Sequence, residues 1–184
     1  VASRRLAEGR IEVAQSLLDG TPPAIDHPEL HIVEGRLHLA RAGRQRDGTG
    51  ETDQLLLGSA IQSFKAALQL NRELGVAWLG LARTQRLMKN LDDASESLTR
   101  AKRLLGDTDS SCSIEAALLA IDLDDVHAAT RYIDAAEIQG RGPTIAYVRG
   151  NIAIKSGDPE RAIAMYSDTL NENPKHIRAR LNRI

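Results

Sequence analysis

The sequence of 184 residues contains one cysteine, few aromatic residues and no long apolar run. The single cysteine, Cys112, excludes an internal disulfide. Aromatic residues make up only 3% of the chain, so a core must be built mainly from Leu, Ile and Ala. No apolar run approaches the ~20 residues that a membrane-spanning helix needs. The net charge of −1 argues against a dedicated nucleic-acid-binding protein.

The motifs that mark common catalytic and cofactor sites are also missing. The sequence has no Gly-rich phosphate loop, no paired-cysteine motif and no nucleophile elbow. We therefore predict no catalytic residue and no cofactor for this chain. Residues 1–7 are typical of the end of a helix rather than of a signal peptide, and the sequence leaves the cellular compartment open.

Small and bulky residues recur with a period of 34 along most of the chain. An alanine occupies one slot of the period, a bulky residue follows four positions later, and a small residue follows after three more. The members of the three columns are Ala60, Ala94, Ala128 and Ala162; Phe64, Leu98, Tyr132 and Tyr166; and Ala67, Ala101, Ala135 and Thr169. Such self-similarity is typical of a solenoid, whose units bury their apolar faces against their neighbours. We expect the alanine column to be buried where two helices of one unit touch.

The residues inside this period resemble the tetratricopeptide repeat. Trp78, Leu81 and Ala82 match the first helix of that motif, and Ala94, Leu98 and Ala101 match the second. The segment 157–174 resembles the second helix almost throughout. The resemblance implies an all-α fold, a right-handed solenoid of antiparallel helix pairs.

The repeats divide the chain into six predicted segments. These are a partial repeat over 1–27, a repeat over 28–74, three repeats over 75–108, 109–142 and 143–176, and the start of a further repeat over 177–184. In the segment 28–74 we expect a helix from about Pro28 to Ala42, followed by an insertion of 13 residues near 43–54. The insertion contains three glycines and no apolar residue, which predicts a mobile loop.

The family resemblance also implies a function. Tetratricopeptide repeats form a concave groove lined by first helices, in which they hold a peptide or a helix of a partner protein. By the family's pattern the groove residues would be Arg36, Val76, Leu79, Arg83, Arg86, Leu87, Ile121, Tyr147, Asn151, Ile154 and Lys155. Asn151 alone matches the Lys and Asn set with which some members clamp a C-terminal carboxylate, so a clamp of that kind is not expected.

Basic residues outnumber acidic ones on this predicted surface. The cations are Arg36, Arg83, Arg86, Lys155 and Arg178, and the single carboxylate is Glu29. We therefore expect a protein or peptide partner that combines acidic and apolar residues.

Two alternatives to a binding scaffold remain open at this stage. The chain can be the regulatory or substrate-docking region of an enzyme whose catalytic domain lies outside it. A weaker candidate is a metal site at His31, Glu34 and His38, because these residues share one stripe of a helix and are types that bind Zn²⁺.

A structural ion pair is predicted as well. Glu115 and Arg149 occupy equivalent slots one period apart, where a leucine is expected. Because equivalent positions of adjoining repeats lie next to each other in a solenoid, we expect these two side chains to meet.

Overall fold

The computed structural model describes residues 15–16, 19–20, 27–49 and 53–182. Nine α-helices lie in these ranges. They are α1 (Pro28–Thr49), α2 (Gln54–Leu70), α3 (Gly75–Leu87), α4 (Leu91–Leu105), α5 (Ser110–Asp122), α6 (Val126–Ile138), α7 (Pro143–Lys155), α8 (Pro159–Glu172) and α9 (Ile177–Asn182). None of these helices is both long enough and apolar enough to cross a lipid bilayer. The predicted partial repeat over 1–27 lies almost entirely outside the described residues, as do residues 183–184.

The chain divides into two compact units, one up to Leu104 and one from Leu105. In the first unit α1 packs on α2, α2 packs on α3, and α1 also contacts α3. In the second unit the same pattern joins α5 to α6, α6 to α7 and α5 to α7, and α8 packs between α7 and α9. Within each unit, therefore, helices that follow each other in the chain pack together, and α1 also contacts α3 as α5 contacts α7.

Aspartates begin several of these helices by accepting hydrogen bonds from backbone N–H groups of the first turn. The cap of α2 is Asp53, which binds the N–H groups of Leu55 and Leu56. Asp158 caps α8 in the same way, and Pro159 follows it at the first helical position, as the sequence predicts. Gly106, directly after α4, has a φ of 99°, a conformation that a glycine adopts without strain.

The core of the first unit is built around Phe64. This ring is fully buried on α2, among small and aliphatic side chains of α1, α2 and α3. It lies between the backbones of Gly35 on α1 and Gly80 on α3, and a Cβ on either glycine would approach the ring more closely than 3.0 Å. Glycine is therefore required at both positions, because the backbones of α1 and α3 pack directly against the ring of Phe64 on α2.

The alanine column is buried as expected, but its register in α6 differs by one residue. Ala60, Ala94 and Ala162 are at most 1% exposed, and Ala128 is buried at 8%. In α6, however, the fully buried positions are Ala129, Ile133 and Ala136, whereas Tyr132 is half-buried and Ala135 is exposed. The predicted slots at Tyr132 and Ala135 are therefore wrong by one position.

The helix lengths explain this shift. Helix α4 has 15 residues, one more than α8, and α6 has 13, one fewer than α8. The longer α4 is therefore followed by a shorter α6. From Gly75 to Ser110, the first residues of α3 and α5, is 35 residues, and from Ser110 to Pro143 is 33. A strict period of 34 is thus an average of two unequal repeats.

The predicted end of the first helix near Ala42 is also wrong. Helix α1 continues through Thr49, so residues 43–49 of the predicted mobile loop extend a helix, while 50–52 lie outside the described residues. Arg44, Gln45 and Arg46 are good helix formers, and the segment contains no proline. Since the helix is already nucleated by residues 28–42, adding a turn costs only propagation, which is much cheaper than starting a helix.

Candidate partner-binding faces

The predicted groove residues of the first unit lie on α1 and α3. On α3 the positions 76, 79, 83 and 86 recur at three and four residues and thus share one face of the helix. Val76 and Leu79 are half-buried, and Arg83 is exposed. Arg86 differs from the prediction, because only 8% of it is exposed. The exposed positive charge on this face is therefore smaller than the sequence suggests.

Arg36 and Arg83 bring two positive charges together on neighbouring first helices. Arg36 is exposed on α1, yet the packing around it and, secondly, the charge of Arg83 both lower its pKa. The two guanidinium groups therefore repel each other, because each disfavours the ionised form of the other. An anion near both guanidinium groups would relieve their repulsion.

The second unit presents a different face on α7, formed by Tyr147, Asn151 and Ile154. The ring of Tyr147 lies 6.0 Å from that of Tyr166 and 4.7 Å from that of His176, measured between centroids. Ile154 is 50% exposed, so an apolar side chain is accessible here. This face therefore combines an aromatic side chain, an amide and an exposed apolar side chain within two turns.

Asn151 is held by its oxygen. Its Oδ1 accepts a hydrogen bond of 2.9 Å from the Tyr166 hydroxyl and one of 3.4 Å from Asn182 Nδ2. The amide nitrogen of Asn151 donates to no other group in the described part of the chain. An amide fixed in this orientation presents its N–H donors to the face of α7.

Two predicted groove residues of the second unit are already engaged within it. Ile121 is 9% exposed and belongs to a core cluster with Ala117 and Ile133. Lys155 forms an ion pair with Asp124, which follows the end of α5. Neither side chain adds a free apolar or positive group to the α7 face.

The proposed metal stripe on α1 does not form a cluster of ligands. His31 Nδ1 lies 3.1 Å from Glu34 Oε2, but His38 Nδ1 is buried without a hydrogen-bond partner. No group of three His, Cys, Asp or Glu side chains in the described ranges is arranged to hold a metal ion. Burial, and then the charge of Arg41, lower the pKa of His38, which favours a neutral imidazole.

Arg149 pairs with carboxylates other than Glu115, so the predicted bridge is wrong. Its Nη2 lies 2.8 Å from Asp134 Oδ1, and its guanidinium also binds Glu137; both acids are on α6. Glu115 is the sixth residue of α5, whereas Arg149 is the seventh residue of α7. The two residues therefore do not occupy equivalent positions. Because one residue corresponds to a rotation of about 100° around a helix, their side chains point in different directions from their helix axes.

The hydrogen bonds around Tyr166 were not foreseen from the sequence, although the alignment of repeats contains a signal. Asn182 stands six residues into α9, where Gly80 stands in α3. The two aromatic residues that face these positions are Tyr166 and Phe64. Phe64 has no hydroxyl and faces Gly80, whereas Tyr166 has a hydroxyl and faces Asn182. The amide of Asn182 thus gives the hydroxyl of Tyr166 a hydrogen-bond partner.

The sequence matches no protein-family model and no curated protein sequence. The structure, however, is similar to solved structures of repeat proteins. TTC0263, a thermophilic TPR (tetratricopeptide repeat) protein of Thermus thermophilus, has a TM-score of 0.73 at 18% identity, over 99% of this chain and 93% of that chain.

Two further structures agree with this similarity. A tetratricopeptide repeat protein from Parabacteroides merdae has a TM-score of 0.72 at 19% identity, over 99% of this chain and 66% of that chain. A chain of the APC/C hetero-tetramer Cut9–Hcn1 has a TM-score of 0.71 at 17% identity, where 95% of this chain matches 31% of the other. The all-α solenoid expected from the repeats is thus confirmed, and the fold of this chain is that of the tetratricopeptide-repeat family.

Proposed function

We propose that this chain is a non-catalytic scaffold that binds an acidic and apolar segment of a partner protein on the face formed by α1 and α3. The observation that supports the proposal most is that Arg36 and Arg83 are both exposed on helices α1 and α3, which contact each other. The charge of Arg83 also contributes to lowering the pKa of Arg36. The fold agrees with it, because solenoids present extended surfaces suited to binding other chains. One structurally similar chain, that of Cut9–Hcn1, is itself part of a hetero-tetramer.

A carboxylate of the partner would stabilise both guanidinium groups. Two like charges disfavour each other's ionised form, and an anion placed near them reverses that interaction. Arginine suits this role because its planar group can bind a carboxylate with two parallel hydrogen bonds. The pair would therefore fix the register of an acidic residue rather than merely attract negative charge.

The apolar part of the site would be supplied by Val76 and Leu79, which remain half-buried. Leu79 and Arg83 are one helical turn apart, a rise of about 6 Å along the axis. In an extended peptide, residues two positions apart are separated by a similar ~6.6 Å. We therefore expect a partner segment in which an acidic residue and an apolar residue are two positions apart and lie on the same side.

The test is charge reversal at the two exposed arginines. The double variant Arg36→Glu/Arg83→Glu is measured against an array of peptides that carry an acidic residue two positions from an apolar one. Arg86 is left intact, since reversing a buried charge would unfold the site and confuse the result. We expect affinity for the selected peptides to fall by about tenfold or more, and the loss to shrink at high salt.

The matched control is Arg131→Glu/Arg161→Glu, which changes the net charge equally at exposed positions of α6 and α8. It should leave binding close to that of the unmodified protein. If both double variants lose affinity equally, the effect is one of overall charge and not of this face. Unchanged binding in the Arg36 and Arg83 variant contradicts the proposal outright.

A further inference from the structure

The short helix α9 is capped by a histidine, whereas other side-chain caps in the described ranges are aspartates. The backbone N–H of Ala179 donates a hydrogen bond of 3.1 Å to Nδ1 of His176. Carboxylates fill the equivalent role at the starts of α2, α5, α6 and α8, from Asp53, Asp109, Asp125 and Asp158. The cap of α9 therefore depends on a group that changes its charge near neutral pH.

Only neutral His176 can make this cap. Its Nδ1 accepts a hydrogen bond when the ring proton is on Nε2, and both nitrogens become donors in the imidazolium ion. Protonation would therefore point two N–H groups at each other. It would also place a positive charge at the N-terminus of a helix, where the helix dipole is unfavourable to cations. A carboxylate has the opposite preference on both counts.

In the described part of the chain, His176, Ala179 and Asn182 contact α7 and α8. The His176 ring packs against the ring of Tyr147 at a tilt of 39°, and Ala179 is fully buried beside Ala153 and Tyr166. Asn182 contributes two long hydrogen bonds of 3.4 Å, to Asn151 and to the Tyr166 hydroxyl. Losing the cap and the ring contact therefore removes two of the interactions that fix α9.

The surroundings of His176 keep its ring neutral. Tyr147 on α7 contributes an aromatic ring, and the charged groups on α9 are Arg178 and Arg180, of which Arg180 donates a hydrogen bond to the carbonyl oxygen of Pro174. Burial lowers the pKa of His176, a backbone hydrogen bond partly opposes this, and Arg178 lowers it further. Docked and neutral states therefore favour each other.

We propose that His176 is a proton-sensitive clasp, which holds α9 on α7 and α8 when neutral and releases it when protonated. Because the docked state lowers the pKa of the imidazole, docking is favoured above pH ~6.5, the ordinary value, and is lost as the pH falls below it. Release would uncover Tyr147 and remove the hydrogen bond from Asn182 to Asn151, which changes the α7 face. This clasp does not depend on partner binding at α1 and α3.

Amide hydrogen exchange across residues 177–182 tests the clasp on the intact chain, with rates corrected for the intrinsic effect of pH. Between about pH 7.5 and about pH 5.5 we expect the protection of α9 to fall roughly five- to tenfold, while that of α7 changes little. The variant His176→Asp supplies a carboxylate cap and should keep α9 protected at both pH values. The control His127→Asn, at an exposed position of α6, should respond as the unmodified protein does.

Equal protection of α9 at both pH values in the unmodified protein would overturn the proposal, as would a loss in His176→Asp as large as in the unmodified chain. Should His176→Asp fail to dock α9 at high pH, an NMR titration of the unmodified protein still decides. The proposal requires an Nε2–H tautomer for His176, a midpoint below about 6.5, and amide shifts in α9 that follow the same curve. Amides of α9 that ignore the titration of His176 contradict it.

Discussion

Gly80→Ala is expected to destabilise the first unit by adding one methyl group against a ring that cannot move. The added Cβ would lie closer than 3.0 Å to Cδ1, Cε1 and Cζ of Phe64, distances that real Cβ atoms essentially never show. Phe64 is fully buried, and a Cβ built on Gly35 would lie 2.8 Å from Cε1 and Cζ of the same ring. The ring is therefore confined by backbone on both sides, so α1 and α3 must separate.

The size of the effect follows from two opposing contributions. Overpacking a well-packed core costs about 1–3 kcal/mol, and a site walled by backbone belongs to the upper part of that range. The higher helix propensity of alanine offsets about 1 kcal/mol of this loss, because glycine is less favourable in a helix interior. We expect a net loss of about 1–2 kcal/mol in the free energy of unfolding, or a decrease in Tm of roughly 2–8 °C for a chain of this size.

Thermal and urea unfolding followed by circular dichroism measure this change, and Gly58→Ala is the matched control. Gly58 is also inside a helix, on α2, but a Cβ there would meet nothing within 4 Å. It should stabilise the protein by about 0.5–1 kcal/mol. If Gly80→Ala were as stable as Gly58→Ala, the closure of two first helices on Phe64 would be refuted. In the background of Phe64→Leu, Gly80→Ala should cost less, because the two sites are coupled.

Two further predictions concern α6. Ala129→Phe should destabilise the protein by about 1–3 kcal/mol, more than Ala128→Phe does, because Ala129 is the more deeply buried residue. Ala135→Phe, on the exposed face of α6, should change stability little. Equal losses of stability for Ala128→Phe and Ala129→Phe in urea unfolding would contradict the shifted register. Glu137→Gln should lower stability by less than ~1 kcal/mol, because the pair with Arg149 is partly exposed. A hydrogen bond from Arg149 lowers the pKa of Glu137. The stability that this carboxylate contributes is therefore present above pH 4.5, the ordinary pKa of a glutamate, and fades as the pH falls. Glu137→Gln should thus equal the unmodified protein in stability in acid but be less stable at neutral pH. Exposed Glu160→Gln is the control, and a constant difference across pH would contradict this assignment.

The periodicity of small residues was sufficient to predict the fold, because close helix packing requires them. The burial of Ala94 and Ala162 could be inferred from spacing alone. What the average period could not reveal was the unequal length of α4 and α6, since one residue more in one helix and one fewer in the next leaves the sum unchanged. The incorrect pairing of Glu115 with Arg149 followed directly from that hidden shift.

The candidate site was harder to predict, because exposure depends on neighbours that a single repeat does not specify. The spacing of Arg86 and Ile121 places them on first helices, but both are largely buried in the structure. The coupling of Arg36 to Arg83 requires the contact of α1 with α3, which lies between repeats. The cap at His176 could not be predicted from the repeats, because the residues before α3, α5 and α7 are Leu74, Asp109 and Gly142, and only Asp109 caps its helix with a side chain.

The most direct test of the proposed function is to map the bound peptide by NMR. The peptide with the highest affinity from the array is added to isotopically labelled protein, and changes in backbone amide shifts are assigned to residues. The account predicts that the largest changes lie on α1 and α3, around Arg36, Val76, Leu79 and Arg83. Changes confined to α2 and α4, or to residues 43–54, would place the binding surface elsewhere and contradict the account.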